Sequence, residues 1–306
     1  MTSSPYLISI VGPTAVGKTA AAIALARYYQ TEILSADSRQ FYREMSIGTA
    51  KPTPEELAAA KHHFVNSHSV NEPFSVGNFE RDGLSALNEL FQKHSVVIMA
   101  GGSGLYIKAI TEGFDELPGI DPSIREKLNL QYAEQGIAIL QEKLQTVDPV
   151  YYQQVDLNNP QRLIRALEVF ESTGALYSSY RKGSYKQRLF TSIKVGLDMP
   201  REELYDRINK RVDDMIVDGL VAEVQQLLPY RHLNALNTVG YSEIFDYLDG
   251  KTGLPEAIAL IKQNTRRFAK RQLTWFRKDK DIQWFKPNDV SAMIEYIDKI
   301  IAGLSA

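Results

Sequence analysis

A glycine-rich octapeptide near the start of the chain, GPTAVGKT at residues 12–19, constrains the fold more than any other stretch. An apolar run at 6–11 precedes it and the stretch AAAIALARYY follows it, so the local order is strand, loop and helix. The octapeptide matches the pattern G-x-x-x-x-G-K-[ST], in which backbone N–H groups and the lysine bind a diphosphate or triphosphate. It therefore predicts a phosphate-binding loop at the carboxyl end of a buried strand.

Further strand-like runs occur at residues 31–35, 95–100 and 191–199, where most residues are apolar or β-branched. Strands of this kind are typical of parallel sheets, whose crossover helices cover both faces. Together with the phosphate-binding loop, these runs predict the fold class α/β, with a P-loop NTPase-like parallel sheet core.

A helical block interrupts this alternation of strands and helices. Apolar residues recur there at helical spacing, and the Asp-Pro and Asn-Pro pairs at 148–149 and 159–160 are typical of helix starts. Because a strand-like run returns after the block, we expect an inserted helical domain at residues 119–190. The catalytic core would then consist of residues 1–118 and 191–306.

An aspartate, Asp37, follows the second strand-like run in the stretch ADSRQFY. Since the carboxyl ends of parallel strands line one crevice, we expect Asp37 to lie near Lys18 and Thr19. A carboxylate in that place could ligate a metal, cap a helix or act as a general base, and the residue pattern alone leaves these roles open. Ser38 and Gln40 add hydrogen-bonding groups that could read the edge of a base.

The run at 95–100 ends in Gly101-Gly102-Ser103-Gly104 and not in an acidic residue. An ATPase or GTPase needs a carboxylate there to hold Mg²⁺ and to orient water. Its absence argues against simple nucleotide hydrolysis and suggests that the loop holds a phosphate group that leaves.

The chain as a whole is nearly neutral, with a net charge of −2, but one segment is strongly cationic. Residues 257–278 hold seven Lys or Arg and no Asp or Glu, and Phe268, Trp275 and Phe276 are interleaved with the cations. We expect the aromatic side chains to pack on the core and the cations to contact an RNA backbone, which predicts salt-sensitive binding. A purely solvated basic helix is the alternative.

The chain contains no cysteine, which excludes disulfides, thiolate zinc sites and cysteine nucleophiles. Its five histidines, at positions 62, 63, 68, 94 and 232, form no recognisable metal set, and we expect His62 and His63 to point apart on a helix. No apolar stretch is long enough to span a bilayer and no signal peptide is evident, so we expect a cytoplasmic protein without a membrane partner.

The chain carries, in this order, the stretches GPTAVGKT, SADSRQFYREMSIGTAKPT, GGSGLYIKA, NNPQRLIRALEVFESTG, GLDMPREELYDRINKRVDDMIVDGLVAEV, TVGYSE and AKRQLTWFRK. This series covers almost the whole chain and resembles the bacterial tRNA dimethylallyltransferases, also called tRNA isopentenyltransferases. The resemblance implies transfer of a dimethylallyl group from dimethylallyl diphosphate to N6 of the adenosine adjacent to the anticodon in tRNA. Pyrophosphate would leave, Mg²⁺ would be the metal, and the target base would be flipped out of its stack.

By this resemblance, Asp37 accepts the N6 proton, while Lys18, Thr19 and Arg211 assist catalysis at the diphosphate. Thr19 is also the implied Mg²⁺ ligand. For Arg211, the residues themselves leave open a surface ion pair with Asp214. The diphosphate-binding residues implied are Gly12, Pro13, Thr14, Ala15, Val16, Gly17, Lys18 and Thr19.

The resemblance also implies residues that contact tRNA, drawn from several segments of the chain. Arg162 and Arg165 are three residues apart and share a helix face, so they could bind phosphates, with a solvated basic face as the alternative. The implied set is Asp37, Ser38, Arg39, Gln40, Ser103, Arg125, Gln161, Arg162, Leu163, Ile164, Arg165, Gly240 and Tyr241.

Three other functions fit parts of the sequence. An adenylate (cytokinin-type) isopentenyltransferase would act on free AMP, ADP or ATP, a small-molecule kinase would bind ATP in the loop, and an RNA-binding module would keep the loop without activity. The cationic segment and the helical insertion favour a large anionic substrate, and the intact Lys18, Thr19 and Asp37 argue against a pure binding module. We expect a monomer, and the sequence leaves open which tRNAs are chosen and whether ATP also binds.

Overall fold

The computed structural model describes residues 4–115, 117–181, 183 and 186–303. The chain divides into two compact units: a sheet unit of Met1–Glu112 and Gln187–Ala306, and a helical unit of Gly113–Lys186. The helical unit begins and ends a few residues before the boundaries expected from the sequence. Arg188 explains the second difference, because it donates to Glu80 (2.8 Å) and to the Ala109 carbonyl (2.6 Å) within the sheet unit.

The sheet unit is built on a six-stranded sheet whose strands all run parallel, in the order β3-β2-β4-β1-β5-β6 among the described residues. In the centre of the sheet, Ile8 of the first strand lies opposite Ile98 and Ile193. The fold class predicted from the sequence is therefore confirmed. The strands are β1 (Tyr6–Val11), β2 (Ile33–Ser35), β3 (His62–His63), β4 (Val96–Ala100), β5 (Thr191–Leu197) and β6 (Ile282–Phe285).

Helices cover the sheet and make up the helical unit. Within the described part of the chain, no helix is both long and apolar enough to cross a lipid bilayer. The helices are α1 (Lys18–Tyr28), α2 (Pro54–Ala59), α3 (Val76–Leu90), α4 (Gly104–Thr111), α5 (Pro122–Gln135), α6 (Ala138–Val147), α7 (Pro149–Tyr152), α8 (Pro160–Thr173), α9 (Tyr177–Tyr180), α10 (Arg201–Val217), α11 (Leu220–Gln226), α12 (Tyr241–Leu248), α13 (Leu254–Phe276) and α14 (Val290–Ile301), with 3₁₀ turns at Leu228–Tyr230 and Asn234–Leu236.

Alternate residues of β1 supply two separate hydrophobic clusters. Ile8 and Ile10 lie on one face with Leu25 of α1 and Ile297 of α14. Leu7 lies on the opposite face with side chains of α3 and α4. Because β1 is covered on both sides, its residues are apolar apart from the buried Ser9 and the hydroxyl of Tyr6, which is why nearly continuous apolar runs identified the central strands.

The two edge strands, β3 and β6, have no such signature in the sequence. His62 and His63 form β3 and pair with Ile33 and Leu34, so the prediction that they point apart on a helix is wrong. A two-residue edge strand is too short to show a period, and these residues carry no apolar signal. His63 Nε2 instead lies 2.6 Å from the carboxylate of Glu32.

The helical unit is organised by caps that the sequence predicted. The Asp148 side chain accepts from the backbone N–H of Tyr151 (3.0 Å), and Asn159 does so from Arg162 (3.2 Å), each just before a proline at the first helical position. Such side chains satisfy N–H groups that have no partner within the helix. The core of the unit is formed by apolar residues of α5, α6 and α8, including Leu128 and Leu140.

Candidate active site

The site lies where β1, β2 and β4 end, at the carboxyl edge of the sheet. β4 separates β1 from β2, so the loops after these three adjacent strands meet at one edge. They are residues 12–17 after β1, the stretch beginning at Ala36 after β2, and Gly101–Ser103 after β4. Parallel α/β sheets bind ligands at this edge, where the strand order reverses.

The loop between β1 and α1 is wound tightly through left-handed backbone conformations. The φ angles are +146° at Gly12, +64° at Ala15 and +112° at Gly17. A Cβ at Gly12 would lie 2.6 Å from the carbonyl oxygen of Leu197 in β5, so only glycine fits there. Backbone N–H groups of such a loop, followed by the start of α1, form a concave site for an anion.

Lys18, the first residue of α1, supplies a cation inside this loop. Its Nζ donates to the Pro13 carbonyl at 2.7 Å. Burial lowers the pKa of Lys18 to about 8, an effect that the charge of Asp37 opposes and that of Arg211 reinforces. A diphosphate would stabilise the charged form, because it places negative charge beside an incompletely neutralised ammonium group.

Arg211 of α10 is the second cation of the site. Its Nη1 lies 3.4 Å from the hydroxyl of Thr14, and burial together with the nearby charge of Arg207 lowers the pKa of the guanidinium. Asp214, the alternative partner, pairs with Lys210 at 3.5 Å. The Arg211 guanidinium thus lies beside Thr14 of the loop, where the resemblance implied it, and not in an ion pair with Asp214.

The lowered pKa of Lys18 gives a prediction for pH. Lys18 is charged below about pH 8, so the affinity for inorganic pyrophosphate should fall as the pH rises through that value. Above it, binding must take up a proton, and the dissociation constant should rise toward tenfold per pH unit. Calorimetry from pH 7 to 10 would measure the pyrophosphate affinity of the wild type and of Lys18→Met. The variant is the reference because the ionisation of pyrophosphate itself affects both proteins equally. A constant ratio of the two affinities would contradict the prediction.

Asp37 shares one cavity of about 40 Å³ with Lys18 and Thr19, the first two residues of α1. One carboxylate oxygen of Asp37, Oδ1, accepts from the backbone N–H of Arg39 at 3.0 Å. Among the described residues, Oδ2 accepts no hydrogen bond, which leaves it able to take a proton. The expected proximity of Asp37 to Lys18 and Thr19 is confirmed. The cavity is lined by Lys18, Thr19, Ala22, Ile33, Ser35, Asp37, Gln40, Pro52, His62, Ala100 and Gly101.

Polar groups on the next residues are held in fixed orientations. The Gln40 Nε2 donates to the carbonyls of Thr49 (3.2 Å) and Ala50 (3.1 Å), and its Oε1 accepts from the hydroxyl of Ser35 (3.5 Å), which lines the same cavity. The Ser103 hydroxyl accepts from the backbone N–H of Ser38 at 3.0 Å. This last contact brings together Ser38 and Ser103, two members of the tRNA-binding set that the resemblance implies.

The glycines after β4 are required by packing. A Cβ at Gly101 would lie 2.3 Å from the Ala36 carbonyl oxygen, and one at Gly102 would lie 2.3 Å from Nε2 of Gln272. The backbone at Ala36 cannot give way to a Cβ at Gly101, and a Cβ at Gly102 would displace the Gln272 amide from its two hydrogen bonds. The missing carboxylate after β4, noted in the sequence, therefore has a structural reason: the end of β2 and helix α13 occupy the space.

Gln272 of α13 is a residue of the site that the sequence analysis missed. Its Oε1 accepts from the backbone N–H of Thr14 at 2.8 Å, and its Nε2 donates to the Gly102 carbonyl at 2.9 Å. The buried amide thus joins the glycine loop to the loop after β4. A glutamine inside a basic helix gives no sequence signal for such a contact, because its partners lie far away in the chain.

Replacing Gln272 with leucine should weaken diphosphate binding. The variant would leave the Thr14 N–H and the Gly102 carbonyl without partners, a loss of about 1–3 kcal/mol for a buried group, or roughly tenfold in affinity for pyrophosphate. Calorimetry would measure it, with Gln263→Leu as the control because Gln263 is exposed on the same helix. An unchanged affinity with intact folding would show that Gln272 does not position the loop.

Tyr241, predicted to contact tRNA, is fully buried and acts on another loop. Its hydroxyl donates to Glu223 Oε1 at 2.6 Å. The same carboxylate accepts from the backbone N–H groups of Ser46 (3.0 Å), Ile47 (2.8 Å) and Gly48 (3.1 Å). This cluster fixes residues 46–48, and the carbonyls of the next two residues accept from Gln40. Tyr241 therefore stabilises the site indirectly, through this loop.

Gly240 and Arg39 also belong to the tRNA-binding set, and both are positioned by contacts at the loop before α12. The Gly240 N–H donates to Glu243 at 2.8 Å, which caps the start of α12. The guanidinium of Arg39 reaches the carbonyl of Asn237 at 3.4 Å. Arg39 therefore stays at the surface, near the loop that precedes α12.

In the helical unit, Arg125 and Arg165 share one carboxylate. Arg125 binds Glu168 through two hydrogen bonds of 2.7 and 3.0 Å, and Arg165 binds the same side chain. Glu168 is buried, whereas both guanidinium groups remain partly exposed. The pair therefore presents a net positive surface, which is compatible with the predicted phosphate contacts.

The other predicted residues of α8 divide between surface and core. Gln161 and Arg162 are exposed, as a contact with RNA requires. Leu163 and Ile164 are 0% exposed and lie in the core of the helical unit. Their side chains have no surface for the predicted contact, because the helical period that exposes Arg162 turns them inward.

The aromatic residues of α13 only partly follow the prediction. Phe276 is buried at 3% exposure, as expected, but Phe268 and Trp275 are 39% and 44% exposed. The prediction that all three pack on the core is wrong for the latter two. They lie on the outer face of an amphipathic helix whose inner face carries Ala269 and Gln272.

A magnesium ion is compatible with the residues of the cavity. No cluster of three or more His, Cys, Asp or Glu that could hold a metal occurs among the described residues. Mg²⁺ does not need such a cluster, since it keeps several waters and takes phosphate oxygens with one or two protein ligands. The hydroxyl of Thr19 and the carboxylate of Asp37 line the same cavity and match that requirement.

Comparison with protein families identifies relatives of the whole chain. Residues 40–279 match the model of a family described as IPP transferase. The chain is 56% identical to a tRNA dimethylallyltransferase of Christiangramia forsetii, over 97% of this chain and 99% of the relative. It is 50% identical to a tRNA dimethylallyltransferase of Cytophaga hutchinsonii, over 96% of each.

Solved structures show the same similarity. A tRNA isopentenylpyrophosphate transferase of Bacillus halodurans superposes with a TM-score of 0.70 at 38% identity, covering 98% of this chain and 96% of that one. A eukaryotic dimethylallyltransferase acting on tRNA superposes with a TM-score of 0.78 at 25% identity, covering 99% and 81%.

Proposed function

The chain belongs to the IPP transferase family, and we propose that it transfers a dimethylallyl group from dimethylallyl diphosphate to N6 of the adenosine adjacent to the anticodon in tRNA. In this reaction the bond between N6 and C1 of the allyl group forms and the bond between C1 and the diphosphate oxygen breaks. Pyrophosphate leaves with the electron pair, and a proton passes from N6 to Asp37. The observation that carries the proposal is the meeting of Asp37, Lys18 and Thr19 in one cavity.

The cations of the site stabilise the leaving group. Lys18 and Arg211 both have a lowered pKa because they are buried without a full counter-charge, so they favour an anion between them. Charge builds up on the diphosphate as the C1–O bond breaks, and fixed cations stabilise that charge most in the transition state. Gln272 and Pro13 keep the loop and the lysine in place.

Asp37 serves as the general base. The exocyclic amine of adenine is a poor nucleophile, so a carboxylate placed at N6 assists its attack on the allylic carbon. Gln40 lines the same cavity, and its Oε1, which accepts from the Ser35 hydroxyl at 3.5 Å, has a second lone pair that suits an amino group and disfavours a carbonyl on the base. Because the target base is stacked in a loop, it must be flipped into the site.

Mg²⁺ is the proposed cofactor. Thr19 would hold it, with Asp37 nearby, and when bound it supplies Lewis-acid stabilisation of the diphosphate oxygens. Among the chain's own residues, Lys18 and the backbone of the glycine loop bind the diphosphate, while Asp37 moves the proton.

The proposed acceptor is tRNA and not free AMP, ADP or ATP. The relatives are named for action on tRNA. Helix α13 adds a cationic surface that a mononucleotide would not need. With tRNA as the substrate, the proposed place of the reaction is the cytoplasm, and the monomeric state stays a prediction.

A transfer assay tests the proposal directly. Dimethylallyl diphosphate labelled in the allyl group would be incubated with the protein, Mg²⁺ and unmodified tRNA, and then with AMP in place of tRNA. Label in tRNA and none in AMP is the expected result. Label in AMP alone would assign the cytokinin-type reaction, and no transfer by folded protein would refute the proposal.

A further inference from the structure

Four residues beside the cavity of Asp37 close a ring of hydrogen bonds, and we call Gln40, Ala50, Lys51 and Asn66 the Gln40 ring. The Gln40 carbonyl accepts from the Asn66 N–H at 3.1 Å, and the Asn66 side chain accepts from the Lys51 Nζ at 2.6 Å. Lys51 follows Ala50, whose carbonyl accepts from the Gln40 Nε2 at 3.1 Å. Three segments of the chain thus meet at one glutamine side chain.

Lys51 is the cation of the Gln40 ring, and its partners are uncharged. Besides Asn66, its ammonium group donates to the carbonyls of Tyr42 (2.5 Å) and Arg43 (3.4 Å). Among the described residues no carboxylate forms an ion pair with Lys51, and burial lowers its pKa to about 8. All three donors of the ammonium group are therefore used to hold the chain around it, and charge-assisted bonds of this kind are the strong ones.

The Gln40 ring depends on hydrogen bonds because it stands between two cavities. Gln40 lines the cavity of Asp37, whereas Ala50, Lys51 and Asn66 line a larger cavity of about 480 Å³. The backbone is left-handed at two of these residues, with φ of +47° at Ala50 and +57° at Asn66. Asparagine tolerates this conformation, but alanine adopts it rarely and keeps it only where surrounding contacts hold it.

The same contacts decide which end of the Gln40 amide faces the cavity. Both donors of Nε2 are used by the carbonyls of Thr49 and Ala50. A flipped amide would set its oxygen against two carbonyl oxygens and lose both hydrogen bonds. The amide oxygen therefore stays on the side of the Ser35 hydroxyl, which lines the cavity.

We infer that Lys51 is a positioning residue for base recognition, because it holds in place the carbonyls that orient the Gln40 amide as an acceptor toward the target base. An acceptor at this place suits the amino group of adenine and opposes the carbonyl of hypoxanthine. Without Lys51, residues 49–51 lose their tie to Asn66, and the Gln40 amide can turn its nitrogen toward the cavity. The inference rests on the proposed function, since it requires a flipped adenine in this cavity.

Inosine in place of the target adenosine tests the inference. It carries a carbonyl where adenosine carries the amino group, so the ratio of the two dissociation constants reports how the site reads that position. Unmodified anticodon stem-loops with either base would be titrated with the protein by fluorescence anisotropy, and no transfer is needed. In the wild type the preference for adenosine should exceed that of Gln40→Leu, which lacks the acceptor, roughly 10- to 100-fold.

Two substitutions open the Gln40 ring at different points. Lys51→Met removes the ammonium group, while Asn66→Gly removes its acceptor and keeps both the left-handed backbone and the N–H that binds Gln40. In both variants the preference for adenosine should fall at least about threefold, toward the value of Gln40→Leu. Asn66→Asp keeps an acceptor for Lys51 and should retain the wild-type preference. Lys61→Met is the control, because Lys61 is exposed and pairs with Glu32 outside the ring.

The outcomes separate the inference from a merely structural role of Lys51. A structural role alone would weaken the binding of both stem-loops equally, and an unchanged preference in the folded variants would overturn the inference. If Lys51→Met does not fold, Asn66→Gly decides by the same criterion. An equal loss of preference in Asn66→Asp and Asn66→Gly would also overturn it, as would a wild-type preference no higher than that of Gln40→Leu.

The proposed function has its own readouts. Affinity for pyrophosphate should stay unchanged in the variants of Lys51 and Asn66, which shows that the glycine loop is intact. Transfer to tRNA by the wild type, together with an unchanged preference in the variants, would leave the proposed function in place and overturn the inference alone. Absence of any tRNA binding or transfer by the folded wild type would overturn both.

Discussion

Replacing Asp37 with asparagine is expected to lower the rate of dimethylallyl transfer about 100- to 10,000-fold, the usual contribution of a general base. Asparagine has the same shape and keeps an oxygen for the 3.0 Å hydrogen bond from the Arg39 N–H, so the local turn survives. Its amide nitrogen cannot take the proton that the Oδ2 of Asp37 would accept. Single-turnover transfer to tRNA at saturating substrates measures the effect on the chemical step.

A matched control separates the role of the base from that of a strand-end carboxylate in general. Asp198 follows β5 at the same edge of the sheet and pairs with Arg277, outside the cavity. Asp198→Asn should therefore transfer the group at nearly the wild-type rate. If Asp37→Asn retained the wild-type rate while binding tRNA normally, Asp37 could not be the base, although the transfer reaction itself would stand.

Replacing Lys18 with methionine is expected to reduce transfer by about 100- to 1,000-fold, as for loss of one group that stabilises developing charge. Methionine has a similar length but no charge, so the departing diphosphate loses its closest cation. The effect should exceed a simple loss of binding, because the charge grows as the C1–O bond breaks. Rates at saturating dimethylallyl diphosphate would show the loss in kcat as well as in KM.

Lys51 provides the comparison for Lys18. Burial lowers the pKa of Lys51 to about 8 as well, but its Nζ is held by the Tyr42 carbonyl (2.5 Å) and the Asn66 side chain (2.6 Å). Lys51→Met should therefore lower the stability of the fold and leave the affinity for pyrophosphate unchanged. Equal loss of pyrophosphate affinity in both variants would show that the position of Lys18 in the glycine loop has no special role.

Local patterns predicted the features that depend on neighbours in the chain. The glycine loop, the caps at Asp148 and Asn159 and the central strands each arise from a short run of residues, because backbone conformation, capping and burial on both faces leave a mark in consecutive positions. The edge strands β3 and β6 left no such mark. They are short, and pairing on one side only does not require continuous apolar side chains.

The contacts that hold the site together come from distant parts of the chain. Gln272 lies 258 residues from Thr14, whose N–H group donates to it. Glu223 lies 175 to 177 residues from the loop at 46–48, whose N–H groups donate to it. Nothing in the neighbouring residues of either side chain indicates its partner. The sequence identified Tyr241, Leu163 and Ile164 as contact residues by resemblance, whereas their burial assigns them to supporting positions.

By itself, the sequence determined the chemical groups of the site and the strands that carry them: a lysine in a glycine loop after β1 and an aspartate after β2. Only the tertiary structure decided how these groups meet, since the strand order places β4 between them and α13 closes the loops through Gln272. The tertiary structure also decided which aromatic rings of α13 face outward. The physical reason is that side-chain packing between elements, unlike local conformation, depends on residues that only the fold brings into contact.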